Sequence, residues 1–345
     1  METTEINSVS DLSRILQTLG EPEKGHTRFF RGHGDESWKL LPSIYRETYL
    51  IENEDKIIKD ALTYCPDDFL PSDTLFEKLV KLQHYGYSTR LLDLTTNALV
   101  ALYFALGDKK HRKKDGELII LDIPNEEIKY GDSDTVAILS AISLRNFSFS
   151  ISERIEIAKN IAIIKKSNYW KENIEYHKIT DDDIKNAKIS KKIIGPLKLA
   201  DFLKALEASS NEIKEKALLE SFNNDNDIIS LLHDIQSDKP SFRPVINSND
   251  LQRVLCVRAK LNNQRISRQQ GCFLLFGIKD NKTEAAAISA KWQRSTSNSQ
   301  KILVKAESKS AIMKELRSFG ISKRTLFPEL EAQAAEIMNH YKNQK

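Results

Sequence analysis

"LQHYGYSTRLLDLTTNALVALYFAL" (Leu82–Leu106) is the stretch on which the fold turns. Its second half, "TTNALVALYFALG" (Thr95–Gly107), predicts a helix that opens at a Thr or Asn cap and stops at Gly107. It is apolar on nearly every side, which places it in the core. Just upstream, "SDTLFEKLVKLQHYG" (Ser72–Gly86) repeats Leu75, Phe76, Leu79, Val80 and Leu82 at helical spacing, with Ser72 as the cap. Residues 83–97 then read as a polar loop held between two buried helices. The polar groups of such a loop need partners. Arg90 and Asp93 are expected to pair as a structural ion pair.

Upstream of this stretch, "SVSDLSRILQTLG" (Ser8–Gly20) predicts a short amphipathic helix. "TRFFRG" (Thr27–Gly32) follows as a short strand, and "FFRGHGD" sets its closing arginine between aromatics and glycines. A buried arginine needs an anion or acceptors. Arg31 is therefore either a ligand clamp or the partner of an inner carboxylate. The flanking glycines let the backbone approach a ligand, and His33 reads as a surface histidine between them. Downstream, "GELIILDIP" (Gly116–Pro124) is a buried strand stopped by Pro124. Residues 150–240 are rich in Ile, Lys, Asn, Glu and Asp, and contain a single glycine, Gly195. They predict a succession of helices. "DLQRVLCVRAKL" reads equally as strand or helix, "RISRQQGCFLLFG" ends in a strand, and "KILVKAESK" alternates like one. Gln269 and Gln270, at the mouth of that strand, are either capping residues or hydrogen-bond partners of a ribose or amide.

The layout is α+β: a small mixed sheet flanked by helices, plus an all-helical insertion. The expected division is an N-terminal helix at 1–26, a first core part at 27–149, the insertion at 150–242, and a second core part with closing helices at 243–345. The 345 residues are 40% hydrophobic and carry a formal net charge of +3, a balance that does not itself imply nucleic acid. The basic run "KKHRKKDG" (Lys109–Gly116) is either a solvated loop or a phosphate contact. The three cysteines, Cys65, Cys256 and Cys272, form no metal or disulfide pattern and fit a reducing compartment. The polar N-terminus and the lack of a long apolar run lead us to expect a cytoplasmic protein with no membrane contact. GxSxG, P-loop and HExxH motifs are absent, so the common hydrolase, NTPase and zincin readings have no support.

Three stretches taken together closely resemble the FRG-domain family. That family is named for an (F/Y)RG motif, here Phe30-Arg31-Gly32. Its second signature is similar to "QHYG.PTRLLDWT.NPLVALYFA", matched by "QHYGYSTRLLDLTTNALVALYFA", and its third to "RI..QQG.F", matched by "RISRQQGCF". The closing "LFPEL" (Leu326–Leu330) also fits, and the likeness covers 27–145 and 243–335. Ser88, Leu94 and Ala98 depart from the pattern, standing where the family has proline, tryptophan and proline.

The resemblance suggests an analogy with ADP-ribosyltransferases, which place an arginine on their first strand to hold NAD. On that analogy Arg31, Thr89 (or Ser88) and Gln270 are the candidate catalytic residues. Arg31, Gly32, Gln83, His84, Tyr85, Arg90, Asp93, Thr95 and Gln269 are the candidate cofactor-binding residues. Cleavage of the glycosidic bond passes through an oxocarbenium-like state, which a carboxylate stabilises better than a glutamine. Asp93 and Glu117 are the alternatives for that carboxylate. The implied activity is transfer of ADP-ribose to a macromolecular acceptor (RNA, DNA or protein), as in toxins or anti-phage defences, with a neutralising partner protein possible. The other reading is a nucleotide- or nucleic-acid-binding module without chemistry.

Overall fold

The computed structural model describes residues 4–176, 196–260, 263–295 and 301–342. The chain opens with strand β1 (Thr4–Ile6), helix α1 (Val9–Leu19) and strand β2 (His26–His33). Helices α2 (Thr48–Glu52), α3 (Glu54–Tyr64) and α4 (Leu75–His84) lead to strand β3 (Leu91–Thr95) and helix α5 (Ala98–Ala105). Strands β4 (Gly116–Pro124) and β5 (Ile128–Tyr130) precede helix α6 (Asp134–Ala141). Helices α7 (Ser152–Tyr176), α8 (Pro196–Asn223) and α9 (Asn226–Asp238) occupy the expected helical insertion. The last part holds β6 (Val254–Arg258), α10 (Gln264–Gln269), β7 (Gly271–Phe276), β8 (Gln293–Arg294) and β9 (Ile302–Val304), then α11 (Lys309–Ser318), α12 (Lys323–Leu326) and α13 (Leu330–Lys342). Among the described residues no helix is long and apolar enough to cross a membrane.

Where a polar loop was expected between α4 and α5, the chain instead forms β3. This strand lies at the middle of the sheet, whose order is β1-β9-β4-β2-β3-β7-β6-β5, with β8 paired to β4. The sheet has nine strands and is far from small. It is mixed as expected: β1–β9 and β5–β6 are parallel, the other pairs antiparallel. The loop reading failed because Leu91, Leu92 and Leu94 serve two cores at once. Leu91 faces the helices while Leu92 and Leu94 face the opposite side. A strand buried on both faces carries no polar alternation to betray it. Other boundaries also move. Thr74, not Ser72, caps α4, in a reciprocal capping box with Glu77. "KILVKAESK" is strand only through Val304, and Val254–Arg258 resolves as strand.

The helices gather on one face of the sheet. α1, α5 and α11 cover β9, β4 and β2 through Leu12, Ala101, Leu102 and Ile312. α3, α4, α6 and α9 cover β3, β7 and β6 through Ile58, Leu79, Leu139 and Leu231. The other face is closed by irregular chain, with Leu40 and Leu41 from one loop and Ala286, Ile288 and Trp292 from another. α9 and the end of α8 share the main core, since Phe222, Ile228 and Ile235 lie in the same cluster as Phe76 and Phe273.

Beneath α5 the backbone comes very close. A Cβ on Gly32 would sit 2.0 Å from the Ala101 carbonyl oxygen, and one on Gly116 would sit 2.1 Å from that of Ala105. Gly32 was expected to bring the backbone to a ligand. It brings it to a helix.

Arg90 does not pair with Asp93. Its fully buried guanidinium forks onto Glu54 of α3, with Nε 2.9 Å from Oε1 and Nη2 on Oε2, and Nη1 reaches the Phe276 carbonyl at 3.0 Å. Lys282, equally buried, stands 3.3 Å from the same carboxylate and donates to the carbonyls of Ser143 and Arg145. Burial holds the Lys282 ammonium down to about 8, against the pull of Glu54. Removing Glu54 leaves two buried cations uncompensated. Glu54→Ala is therefore expected to cost about 3–5 kcal/mol of stability, read by urea unfolding. A loss below about 1 kcal/mol would show that the cluster relaxes or hydrates.

Candidate functional site

β2 and β3 share a single paired position, Phe30 with Thr95, and then part. Arg31 lies at this split. Its Nη1 donates to the Asp93 carbonyl at 2.6 Å, an oxygen that strand pairing would otherwise have used. Its Nε donates to Nε2 of His33 at 3.0 Å. The two residues are two apart on one strand and point to the same face, opposite α5. Nη2 has no acceptor among the described residues, and the side chain is 13% exposed. Burial lowers the Arg31 guanidinium to about 10, offset in part by Asp93 and reinforced by Arg46. It stays charged at neutral pH.

His33 is buried, not on the surface as expected. Burial first, and the neighbouring cations Arg31 and Arg46 next, push its imidazole down to about 3. The ring is therefore neutral, with the proton on Nδ1, because Nε2 accepts from Arg31. Nδ1 has no hydrogen-bond partner of sound geometry and lies 3.9 Å from Oε2 of Glu117, directly across the β2–β4 ladder. Burial raises the Glu117 carboxyl, with Lys301 opposing and Glu36 reinforcing the rise. Trp38 closes this end. Its ring meets His33 edge-on at 5.9 Å and His111 at 4.9 Å, and the Arg46 guanidinium lies 5.7 Å from its centre.

The expected constellation is only partly assembled. Arg31 and Asp93 meet, with Asp93 Oδ2 4.0 Å from Nη1 and the carboxylate 66% exposed. Two residues along β3, the Thr95 hydroxyl donates to the Gln269 carbonyl at 2.7 Å and accepts from Asn97 N–H. The Gln269 side chain donates to the Leu326 carbonyl at 3.1 Å. Gln270 is exposed, and its carbonyl accepts from Thr96 N–H at 3.2 Å. Thr95 and the two glutamines thus lie at the β3–β7 seam, and it is Asp93 that reaches Arg31.

The remainder lies elsewhere. Thr89 is fully buried and its hydroxyl donates to Oε1 of Gln83, so the pair locks the turn from α4 into β3 and the Thr89 hydroxyl does not face solvent as a catalyst would. Arg90 belongs to the Glu54 cluster. His84 sits 3.5 Å from Glu329 and from Asn263, and Tyr85 is exposed beside it. Among the described residues no group of three His, Cys, Asp or Glu side chains is placed to hold a metal. His33, Trp38 and Arg46 were not picked out from the sequence as site residues. The i, i+2 relation of Arg31 and His33 on one strand was the signal that joins them.

Two outcomes follow from these environments. The folded chain keeps His33 neutral down to about pH 3, whereas the unfolded chain protonates it near 6.5. Stability is thus lost as the pH falls from 6.5 towards 3. His33→Gln should flatten that slope by up to about 1.4 kcal/mol per pH unit, measured by urea midpoints across the window. An unchanged slope would place His33 in contact with water. Gln270, which caps α10, has φ 47° and is the one non-glycine residue with positive φ among the described residues. Gln270→Gly should leave the fold intact and raise its stability by up to about 1 kcal/mol, read from the thermal midpoint.

No curated protein and no solved structure matches the chain. One family does. Residues 26–114, which hold Arg31, His33, Trp38, Asp93 and the whole of α5, match the FRG domain family, and this part of the chain is an FRG domain.

Proposed function

We propose that the FRG domain binds the pyrophosphate of NAD at Arg31 and transfers ADP-ribose to a macromolecular acceptor. One observation carries this reading. The guanidinium of Arg31 is fixed by two neutral acceptors, His33 Nε2 and the Asp93 carbonyl, while Nη2 has no acceptor among the described residues. A charge held in place and left unneutralised suits an anion. Arg46 adds a second cation close enough to depress Arg31, and no carboxylate pairs with it among the described residues. Two adjacent cations gain from a shared anionic ligand.

The residues present fit a dinucleotide at this level. Arg31 and Arg46 would take the pyrophosphate. Asp93, exposed beside Arg31, is the better placed of the two candidate carboxylates to face a ribose, because Glu117 is buried behind His33. Bound NAD supplies the ADP-ribosyl group: nicotinamide leaves with the bonding pair, the acceptor's oxygen or nitrogen bonds the ribose carbon, and the acceptor's proton passes to solvent. A second reading, a nucleotide-binding module without turnover, is favoured by Thr89, whose hydroxyl is spent inside the core.

Incubation with NAD labelled in its adenylate phosphate, together with cell extract, separates the two. The first reading expects macromolecular label and released nicotinamide from the wild type, and neither from Arg31→Ala or Asp93→Asn. Arg31→Lys should weaken NAD binding about 10- to 100-fold, since an ammonium cannot keep the fork of bonds. Intact NAD binding with no nicotinamide release would sink the enzyme and leave the module.

A further inference from the structure

The loop 107–114 packs on the loop that follows β2. Gly107 and Gly34 are in backbone contact, and Lys309 ties the Gly34 and His111 carbonyls together at 2.9 and 3.2 Å. Through His111 and Trp38 this loop reaches the Arg31 end of the sheet. Its carboxylates are already engaged. Asp35 is held by Lys114, Asp108 by Nδ1 of His111 at 2.6 Å, and Asp115 by Lys305 at 2.6 Å. Lys110, Arg112 and Lys113 are exposed and enter no ion pair among the described residues, and the same holds for Arg46 across Trp38. Glu36, Glu47 and Asp108, which has only the His111 imidazole as partner, remain as opposing charges, outnumbered by these four cations. The result is a basic rim that leads to the Arg31 site.

We propose that Lys110, Arg112 and Lys113 dock the backbone of a single-stranded polynucleotide beside the Arg31 site. The polynucleotide's role as acceptor rests on the reading above. The docking does not. Exposed cations without carboxylate partners are what a phosphate backbone neutralises, whereas an acidic protein would require matching spacing of isolated charges. The aromatic side chains favour a single strand over a duplex. Trp38 is partly exposed under Arg46, and Tyr49, three residues after Arg46, is 64% exposed. Aromatic faces between cations bind unstacked bases. A base or sugar that must enter a pocket for chemistry also has to leave the duplex first.

The test uses the full chain and a fluorescein-labelled oligonucleotide of roughly 20 nucleotides, long enough for one such site. Binding is read by anisotropy from low to physiological salt. The wild type should bind single-stranded RNA or DNA with a steep salt dependence. The triple variant Lys110→Ala, Arg112→Ala, Lys113→Ala should lose about 2 from the log–log salt slope and at least about tenfold in affinity at low salt. Its NAD affinity, measured by calorimetry, should not change, which also shows that it is folded. An unchanged slope in the variant overturns the proposal. So does tighter binding to the matching duplex, or equal binding to polyglutamate. If rim-dependent binding is present but the wild type releases no nicotinamide, the docking stands and the transferase reading falls. If NAD turns over but the oligonucleotide does not bind, the reverse holds.

Discussion

The Glu54 carboxylate is the point on which the rest of the fold hangs. It joins α3 to Arg90, at the entrance to the central strand, and to Lys282, beyond the end of β7. Arg90 and Lys282 pass the connection on to the carbonyls of Phe276, Ser143 and Arg145. Five separate stretches of chain thus meet at one buried carboxylate. Replacing such a cluster by apolar residues is often neutral or better for stability, so its value here is geometric. Each charge is satisfied only if α3, β3 and the end of β7 take up one relative placement. That placement sets where Asp93 and Thr95 lie, three and five residues beyond Arg90 along β3.

A second constraint acts from the other side. α5 presses so closely on β2 and β4 that Gly32 and Gly116 have no room for a side chain. The contact fixes the face of β2 that Phe30 and Gly32 present to the helix. By strand alternation it also fixes Arg31 and His33 on the opposite face. The glycine of the Phe-Arg-Gly triplet therefore serves the arginine indirectly. It seats the strand, and the strand aims the guanidinium towards the split between β2 and β3.

Much of this was legible from residue patterns. The apolar spacing of α1, α4 and α5, the Asn97 cap of α5, the buried run of β4 and the helices over 152–238 all express short-range periodicity. β3 was not legible as a strand, because a segment buried on both faces has no alternation and its polar residues dominate the reading. Among the site residues, Arg31 meets Asp93, while the Gln269 side chain turns to the Leu326 carbonyl. Thr89, Gln83 and Arg90 were misjudged for one common reason. A polar side chain in a sequence does not reveal whether its partner is a ligand or another part of the chain 36 residues away, as Glu54 is to Arg90. His33 was misjudged because flanking glycines suggest exposure. Here Gly32 and Gly34 mark backbone packed against α5 and Gly107.

Arg31 and Arg90 make the distinction in physical terms. Both lie near the central strand, and both direct guanidinium nitrogens at backbone carbonyls. Arg90 also meets a buried carboxylate, so its charge is cancelled where it sits and nothing remains for a ligand. Arg31 is held instead by an imidazole nitrogen and a peptide oxygen, which orient it without neutralising it. The carboxylate that approaches it among the described residues, Asp93, stands 4.0 Å away and largely in water, where its attraction is strongly screened. His33 can fill this role only while it is neutral, since a protonated ring would lose its acceptor and add a third positive charge beside Arg31 and Arg46. Burial of His33 therefore sustains the field at the site: by keeping the imidazole uncharged, it keeps the arginine oriented, charged and open to an anion.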